Sequence, residues 1–528
     1  MLAFKVGAVR VRAMTRLLAL LLALFTLTLP AHAADDISAA SRSVVRVVTV
    51  AMVDGEVVGF GHGSGIAISP TRIVTNAHVV ESAVQYPNNV ALGVVPSEGQ
   101  KSYAAKLIAI DTARDLALLE ITEARLPAAA VYTGPLESGA DIVALGYPGN
   151  VDLATARSAN DYITPRTPTR SEGNLSNTQS VDGVAMLIHT AKISRGNSGG
   201  PLVDACGRIT GINTAITRAD DGDSPFAFAI SARELTRFLT DADQSYASVG
   251  TPCLSLAEAE ARDRAALDAE SRASAEANAA KDAAAKLDRE LKQARAEEAA
   301  LASRENRIAL AGVLFVIGAL AAGAGLLFYS QKNLRNAKIA GGAGAALMLG
   351  AAVLFVTRPD AHAELVADSA PLPATAEPKL AEGQFLCTIR TDRSRITVSA
   401  TTDVPVTIAA GGCVNDRTQY TKGPDDRWQR ILVPNDEATV TVASIDPTGR
   451  DYRVERYLLD AEAMAKARET RAAVTLKSCT ADPDALAGLA AQQDAIRSIL
   501  PASPNERLVY RCQPGSGAAA AVKPAAAP

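Results

Sequence analysis

Apolar stretches a few residues long alternate with Gly, Pro, Asn and Asp from about residue 37 to residue 248. "SVVRVVTVAM", "GSGIAIS", "RIVTNAHVV", "KLIAI", "LALLEI", "DIVALGY", "VAMLIHTAKI" and "RITGINTAI" each read as a strand. Strands broken by turn residues at close intervals predict an all-β barrel or sandwich. His78 falls at the end of one of them. "ISARELTRFLTDA" then changes to helical spacing, and Ser231 with Glu234 three residues on predicts a capping box.

The texture changes at residue 254. Gly and Pro vanish up to Arg307, and Ala, Glu, Arg, Lys and Asp dominate. Leu287, Leu291, Ala294 and Leu301 keep a three-four spacing that Glu298 interrupts. Residues 254–307 therefore predict a long charged helix, a stalk of roughly 75 Å at ~1.5 Å per residue. The pattern fits a solvated single helix and a weak coiled coil equally, and a homo-oligomer would form through this helix. Two uncharged apolar runs follow, 308–329 and 339–357, each near the length of a bilayer span. The loop between them, 330–338, carries Lys332, Arg335 and Lys338 and no acid. Such a loop stays in the cytoplasm, so the runs predict a two-helix transmembrane hairpin with its turn inside.

Residues 1–33 read as a signal peptide: a basic start, an apolar run from Leu17 to Leu29, and Ala31-His32-Ala33 as a cleavage site. Met14 is an alternative start. Residues 358–383 form a Pro/Ala linker. Residues 384–513 mix strand and helix patterns and predict a smaller α+β C-terminal domain without a catalytic constellation. Residues 514–528 read as a disordered tail. The protein is expected in a bacterial cytoplasmic membrane, with both outer domains facing the periplasm or the exterior.

Charge and cysteine content narrow the function. Lys plus Arg number 53 against 57 Asp plus Glu, so no basic field argues for nucleic acid. The six cysteines divide into Cys206 and Cys253 before the hairpin, and Cys387, Cys413, Cys479 and Cys512 after it. Both groups are even and lie on the oxidising side, so Cys206–Cys253 is the natural first pair. The last four allow three connectivities. No Cys-x-x-Cys or His-rich cluster suggests a metal, and no cofactor is expected.

"ISRGNSGGPL" raises the question of chemistry, because Ser198 sits in a glycine-rich turn. Ser198 also fits G-x-S-x-G, but that elbow needs its acid and histidine after the serine, where only His362 follows, beyond both spans. An acid-before-histidine order could use Asp54, and nothing around Asp54 supports it. The order His, Asp, Ser remains. His62, His78 and His189 lie between the signal segment and Ser198. His62 and His189 read as structural. Asp115 in "DTARDLALLEI" leads into an apolar run, where its carboxylate could accept His78 Nδ1–H and hold the imidazole tautomer. Asp111 serves the turn before that run.

Taken together, "SGIAISPTRIVTNAHVV", "DTARDLALLEI", "LGYPG", "ISRGNSGGPL" and "FAFAIS" resemble the HtrA/Do branch of the trypsin-like serine proteases. The resemblance covers roughly residues 43–238. It implies an all-β double β-barrel protease domain over 37–248. It maps the catalytic triad onto His78, Asp115 and Ser198. It maps the oxyanion hole onto Gly196 and Ser198, with Asn197 between them. Asn197 replaces the Asp that digestive trypsins carry there, so control by loop ordering is expected, with "GNVDLATARSANDYITPRTPTRSEGNLSN" as the candidate loop. No PDZ pattern follows the protease domain. The substrate pocket is expected from Lys192, Ile193, Phe228 and Ile230, with Lys192 turned outward and small aliphatic residues preferred. The expected function is a membrane-tethered serine endopeptidase acting on extracytoplasmic polypeptides. The alternative is an idle or gated protease-fold scaffold or sensor in the envelope.

Overall fold

The computed structural model describes residues 35–217, 225–357, 380–423, 425–476 and 478–515. The signal segment, His362 and most of the linker and tail lie outside the described residues. The chain divides into two compact units, Met1–Asp263 with Glu377–Pro528, and Arg264–Ala376.

Helix α1 (Asp36–Ser41) precedes six strands: β1 (Val44–Val53), β2 (Glu56–Ser69), β3 (Arg72–Thr75), β4 (Val90–Pro96), β5 (Tyr103–Asp111) and β6 (Leu116–Glu120). They close into a barrel in the order β1-β2-β3-β6-β5-β4. Side chains alternate faces along a strand. Val45, Val47, Ala67, Ala117 and Leu119 fill one apolar cluster. Their neighbours Val44, Ile66, Ile68, Leu116 and Leu118 face a second cluster, shared with Val143, Leu145, Ile212 and Ile230. Burial of both faces explains why these strands read as continuous apolar runs rather than alternating ones.

The second barrel uses β8 (Asp141–Gly146), β9 (Thr169–Val181), β10 (Val184–His189), β11 (Pro201–Val203), β12 (Ile209–Ile216) and β13 (Ala227–Ser231). Their order is β11-β8-β9-β10-β13-β12, and pairing of β11 with β12 closes the ring. Short strands β7 (Val131–Tyr132) and β14 (Ser248–Val249) extend from β12. The fold is thus the trypsin-like double barrel.

Three local expectations need correction. His78 does not end a strand: it is the second residue of helix α2 (Ala77–Gln85), which starts after Asn76. The polar segment after Pro148 is not one long loop. It forms helix α3 (Gly149–Thr155) and a 3-10 turn (Ala159–Tyr162), and its end belongs to β9. Helix α4 (Ala232–Asp241) forms after Ser231, but without the capping box. Glu234 instead faces Arg114, Arg233 and Arg237, which draw its carboxylate away from the helix start.

The C-terminal domain is a nine-stranded antiparallel sheet. Its strands are β15 (Gly383–Ile389), β16 (Val404–Ala409), β17 (Cys413–Val414), β18 (Thr418–Gln419), β19 (Thr421–Lys422), β20 (Trp428–Leu432), β21 (Thr439–Ile445), β22 (Asp451–Leu458) and β23 (Glu506–Pro514). Two helices, Ala461–Ala472 and Pro483–Arg497, accompany it. The sheet packs on the double barrel: Ala130 and Val249 share an apolar cluster with Phe385, Cys387 and Tyr510. Polar ties reinforce the contact. Arg395 pairs with Asp36, Asn505 Nδ2 donates to Asp36 Oδ1 at 2.9 Å, and Arg42 Nη2 donates to the Leu458 carbonyl at 2.7 Å.

The long helix Leu256–Ser330 is continuous through 75 residues, so stalk and first apolar run are one element. Its first turns belong to the first unit, where Asp263 Oδ1 accepts from Arg393 Nε at 2.7 Å. In the second unit this helix and Leu334–Val356 are both long and apolar enough to cross a membrane. Leu287, Leu291 and Leu301 are exposed along the stalk.

The three disulfides are Cys206–Cys253, Cys387–Cys512 and Cys413–Cys479, which selects one of the three C-terminal connectivities. Peptide mapping without reduction is expected to recover these three linked pairs and no free thiol. A Cys387–Cys413 or Cys479–Cys512 peptide would contradict the C-terminal fold.

Candidate active site

His78 and Asp115 meet because a helix start faces the β5–β6 turn. Asp115 occupies that turn at φ 53°, a left-handed conformation that Asp tolerates better than most residues. Buried Asn76 fixes the turn by donating Nδ2–H to the Asp115 carbonyl at 2.8 Å. Asp115 Oδ1 accepts the His78 backbone N–H at 3.0 Å. His78 Nδ1 lies 2.9 Å from Asp115 Oδ2. Thr214, from β12 of the second barrel, donates its hydroxyl to Oδ2 at 2.6 Å. Burial raises the Asp115 pKa, but the hydrogen bonds from His78 and Thr214 outweigh it and hold the carboxyl below its ordinary value. The hydrogen bond to Asp115 raises His78, against the opposing effect of burial. With Nδ1–H donated to Asp115, neutral His78 keeps Nε2 as a proton acceptor.

The turn that carries Ser198 is held by its carbonyls. Arg195 O accepts from Gly149 N–H at 2.7 Å, and Gly196 O from the Ser64 hydroxyl at 2.7 Å. Asn197 O accepts from Gly200 N–H at 2.9 Å, and Ser198 O from Ser64 N–H at 2.8 Å. The Asn197 N–H donates to Ser194 O at 3.0 Å. Among the described residues the N–H groups of Gly196 and Ser198 have no partner. Gly196 sits at φ 96°, and a Cβ there would meet the Tyr147 carbonyl at 2.3 Å. Gly199 is equally constrained: its added Cβ would lie 2.2 Å from Ser64 O.

Ser198 Oγ donates to the Thr214 carbonyl at 3.2 Å. Among the described residues no hydrogen bond joins it to His78. The arrangement brings His78 and Asp115 together and sets the Ser198 hydroxyl on the Thr214 carbonyl.

The other candidates lie elsewhere. His62 Nε2 lies 3.2 Å from Asp152 Oδ2, and Arg46 Nη2 holds Asp152 Oδ1 at 2.7 Å. Burial lowers the His62 pKa. His189 is fully buried, and burial pushes it down to about 4. Asp111 accepts the Arg114 N–H at 2.9 Å and so serves its turn. Asp54 stands in the β1–β2 hairpin turn at φ 51°. Lys192 is exposed; Ile193 is half-buried beside Ile142, Leu175 and Leu202. Phe228 is half-buried, whereas Ile230 is fully buried in the core cluster shared by the barrels, where its side chain is spent on packing. Among the described residues no group of three or more His, Cys, Asp or Glu could hold a metal.

Ser64, Thr214 and Gly149 escaped the sequence reading. Each acts through a partner from another element, 132, 99 and 46 positions away along the chain for their respective contacts with Gly196, Asp115 and Arg195. No local spacing signals such contacts.

Residues 63–212 match the trypsin-like peptidase domain family. Similar proteins include the magnetosome formation protease MamE of Magnetospirillum gryphiswaldense, 32% identical over 182 residues, or 34% of this chain and 22% of that protein. Serine protease Rv3671c of Mycobacterium tuberculosis is 31% identical over 202 residues, covering 38% and 46%. Human serine protease HTRA3 is 33% identical over 190 residues, covering 35% and 39%. The match thus spans less than half the length of each of these relatives. A crystal structure of the Rv3671c protease in its active form aligns with a TM-score of 0.31 at 25% identity, covering 41% of this chain and 86% of that one. The N-terminal half of the chain thus carries a trypsin-like peptidase domain, similar to the HtrA/Do-like serine proteases.

Proposed function

We propose that this protein is a serine endopeptidase, tethered in a bacterial cytoplasmic membrane by the two apolar helices, that cleaves extracytoplasmic polypeptides. One observation carries the reading: all four carbonyls from Arg195 to Ser198 are engaged, while the N–H groups of Gly196 and Ser198 are free. These two donors would receive the oxyanion that forms when Ser198 Oγ attacks a peptide carbonyl. Such preorganised donors stabilise a developing charge at no reorganisation cost. His78 Nε2 would take the hydroxyl proton and return it to the leaving amine. Asp115 would orient the ring and stabilise the imidazolium. Water would then release the acyl group from Ser198. Exposed Lys192 supports an uncharged pocket, walled by Ile193 and Phe228.

The hydrogen bond from Ser198 Oγ to the Thr214 carbonyl favours a second feature, a gated resting state. Attack requires the hydroxyl to rotate from Thr214 toward His78. The gating reading keeps the triad chemistry and adds a conformational step before it. A permanently idle scaffold is the rival that turnover measurements exclude or establish.

Ser198→Ala or His78→Ala is expected to lower peptide turnover by roughly 10⁴–10⁶-fold, because triad members act as a unit. His62→Ala and His189→Ala should keep the chemistry. Near-normal turnover in His78→Ala would remove the triad assignment.

The pH profile tests the Asp115 contact. His78 must be neutral to act as base, and its pKa is raised. Activity should therefore fall as pH drops, with the midpoint of the acid limb above the ordinary histidine value of about 6.5. Asp115→Asn should move that midpoint down, besides lowering kcat; an unmoved midpoint would contradict the assignment.

Gly149 offers a narrower test. A trans peptide points its C=O and N–H in opposite directions, so holding Arg195 O fixes where Gly196 N–H points. Gly149 opens helix α3, where proline is tolerated, and Pro148 already has φ −68° and ψ 126°, as a residue before proline requires. Gly149→Pro deletes the donor to Arg195 O and sets the proline Cδ against that oxygen, so the carbonyl must turn away. We expect kcat to fall about 10–100-fold with KM little changed, a partial loss of one oxyanion donor. Gly149→Ala, which keeps the N–H, should retain most activity.

A further inference from the structure

Two adjoining cavities open in the C-terminal domain, of about 410 and 360 Å³. Arg430, Leu432, Arg471 and Val474 line both. The first also takes Arg417 from the β17–β18 hairpin; the second adds apolar Ile496 and one acid, Glu437. Volumes of a few hundred Å³ suit small-molecule ligands.

The arginines on these walls differ from others in the domain. Arg393 pairs with Asp263 and Asp451, Arg427 with Asp451, and Arg507 with Glu455. Among the described residues Arg417, Arg430 and Arg471 make no ion pair with a carboxylate. Arg471 is already occupied: it donates to the Val433 carbonyl at 2.5 Å and to Asn435 Oδ1 at 2.7 Å. Arg430 is not. Its Nη1 reaches only the Gln419 carbonyl at 3.5 Å, and its buried Nε has no partner. Burial lowers the Arg430 pKa. An unpaired buried guanidinium donor is costly unless a ligand completes it.

The walls are also fixed in place. Cys413, at the base of the hairpin that carries Arg417, is bonded to Cys479, next to the wall residue Ser478. The disulfide therefore joins two sides of the first cavity.

We propose that this paired cavity binds a small anionic amphiphile, with a carboxylate or phosphate head on Arg417 and Arg430 and a short apolar body against Leu432 and Val474. A planar guanidinium fork recognises either head bidentately. Glu437 at the second cavity sets the polarity, because it repels an anion there and leaves the first cavity for the head. The site lies in a domain to which the peptidase reading assigns no chemistry, and it does not depend on that reading.

The test uses the full-length protein in lipid nanodiscs. Trp428 is the chain's single tryptophan and stands two residues before Arg430, on the same face of β20. Its fluorescence is followed while hexanoate, hexyl phosphate, hexanol or inorganic phosphate is added. Saturable binding of hexanoate or hexyl phosphate is expected, at least tenfold tighter than hexanol or inorganic phosphate. Whichever head binds more tightly identifies the chemical source of the ligand. Arg430→Leu should weaken binding at least tenfold. Arg417→Gln, at an exposed position that leaves packing intact, should weaken it several-fold. Failure of both charged probes to saturate, or equal binding by wild type and both variants, would overturn the site. Inorganic phosphate binding as tightly as hexyl phosphate would overturn the apolar half of the proposal.

Discussion

Four consecutive carbonyls, from Arg195 to Ser198, each accept a hydrogen bond, and three of the four donors come from outside the turn's own sequence neighbourhood. Ser64 supplies two of them from the first barrel, and Gly149 supplies one from helix α3. A backbone that turns this sharply would otherwise leave buried carbonyls unpaired, at a cost of about 1–3 kcal/mol each. Satisfying them settles the peptide planes. The N–H groups of Gly196 and Ser198 are then left facing away from those acceptors. Glycine is required at 196 and 199 for a separate reason: both have positive φ, and a Cβ there would meet the Tyr147 and Ser64 carbonyls. The two barrels are therefore coupled at the turn that carries Ser198, and Ser64 is the coupling residue.

The His78–Asp115 pair is built on a different principle. Asp115 gathers donors from His78 and Thr214, so its charge is stabilised in place before any substrate arrives. Thr214 then has two roles, since its hydroxyl steadies Asp115 while its carbonyl accepts Ser198 Oγ. A neutral hydrogen bond of this kind is worth about 1 kcal/mol net, so redirecting the serine hydroxyl toward His78 is inexpensive.

An all-β barrel or sandwich was legible in the sequence because its strands are short, apolar and punctuated by turn residues; the double barrel was implied by the resemblance to the trypsin-like proteases. The chemistry was legible as chain order: a histidine, an acid and a serine in glycine-rich context. The structure brings His78 and Asp115 together and leaves Ser198 on Thr214. What escaped were contacts between distant elements. Ser64 lies in "GHGSG", where nothing distinguishes a bridging serine from a turn residue. The helix start at Asn76 was hidden by the β-branched run around it, and tertiary packing overrode that propensity. The capping box at Ser231 failed because three arginines compete for Glu234, a competition that only the fold creates. The pairing of the last four cysteines needed the sheet order, which places β15 beside β23 and so Cys387 opposite Cys512.

The central claim is that Ser198 is a nucleophile activated by His78. Covalent labelling by a fluorophosphonate, followed by mass spectrometry of the modified peptide, measures this directly. The account predicts one adduct, on Ser198, formed rapidly in the wild type and lost in His78→Ala. An unlabelled Ser198 in a folded protein, or labelling that does not depend on His78, would contradict it.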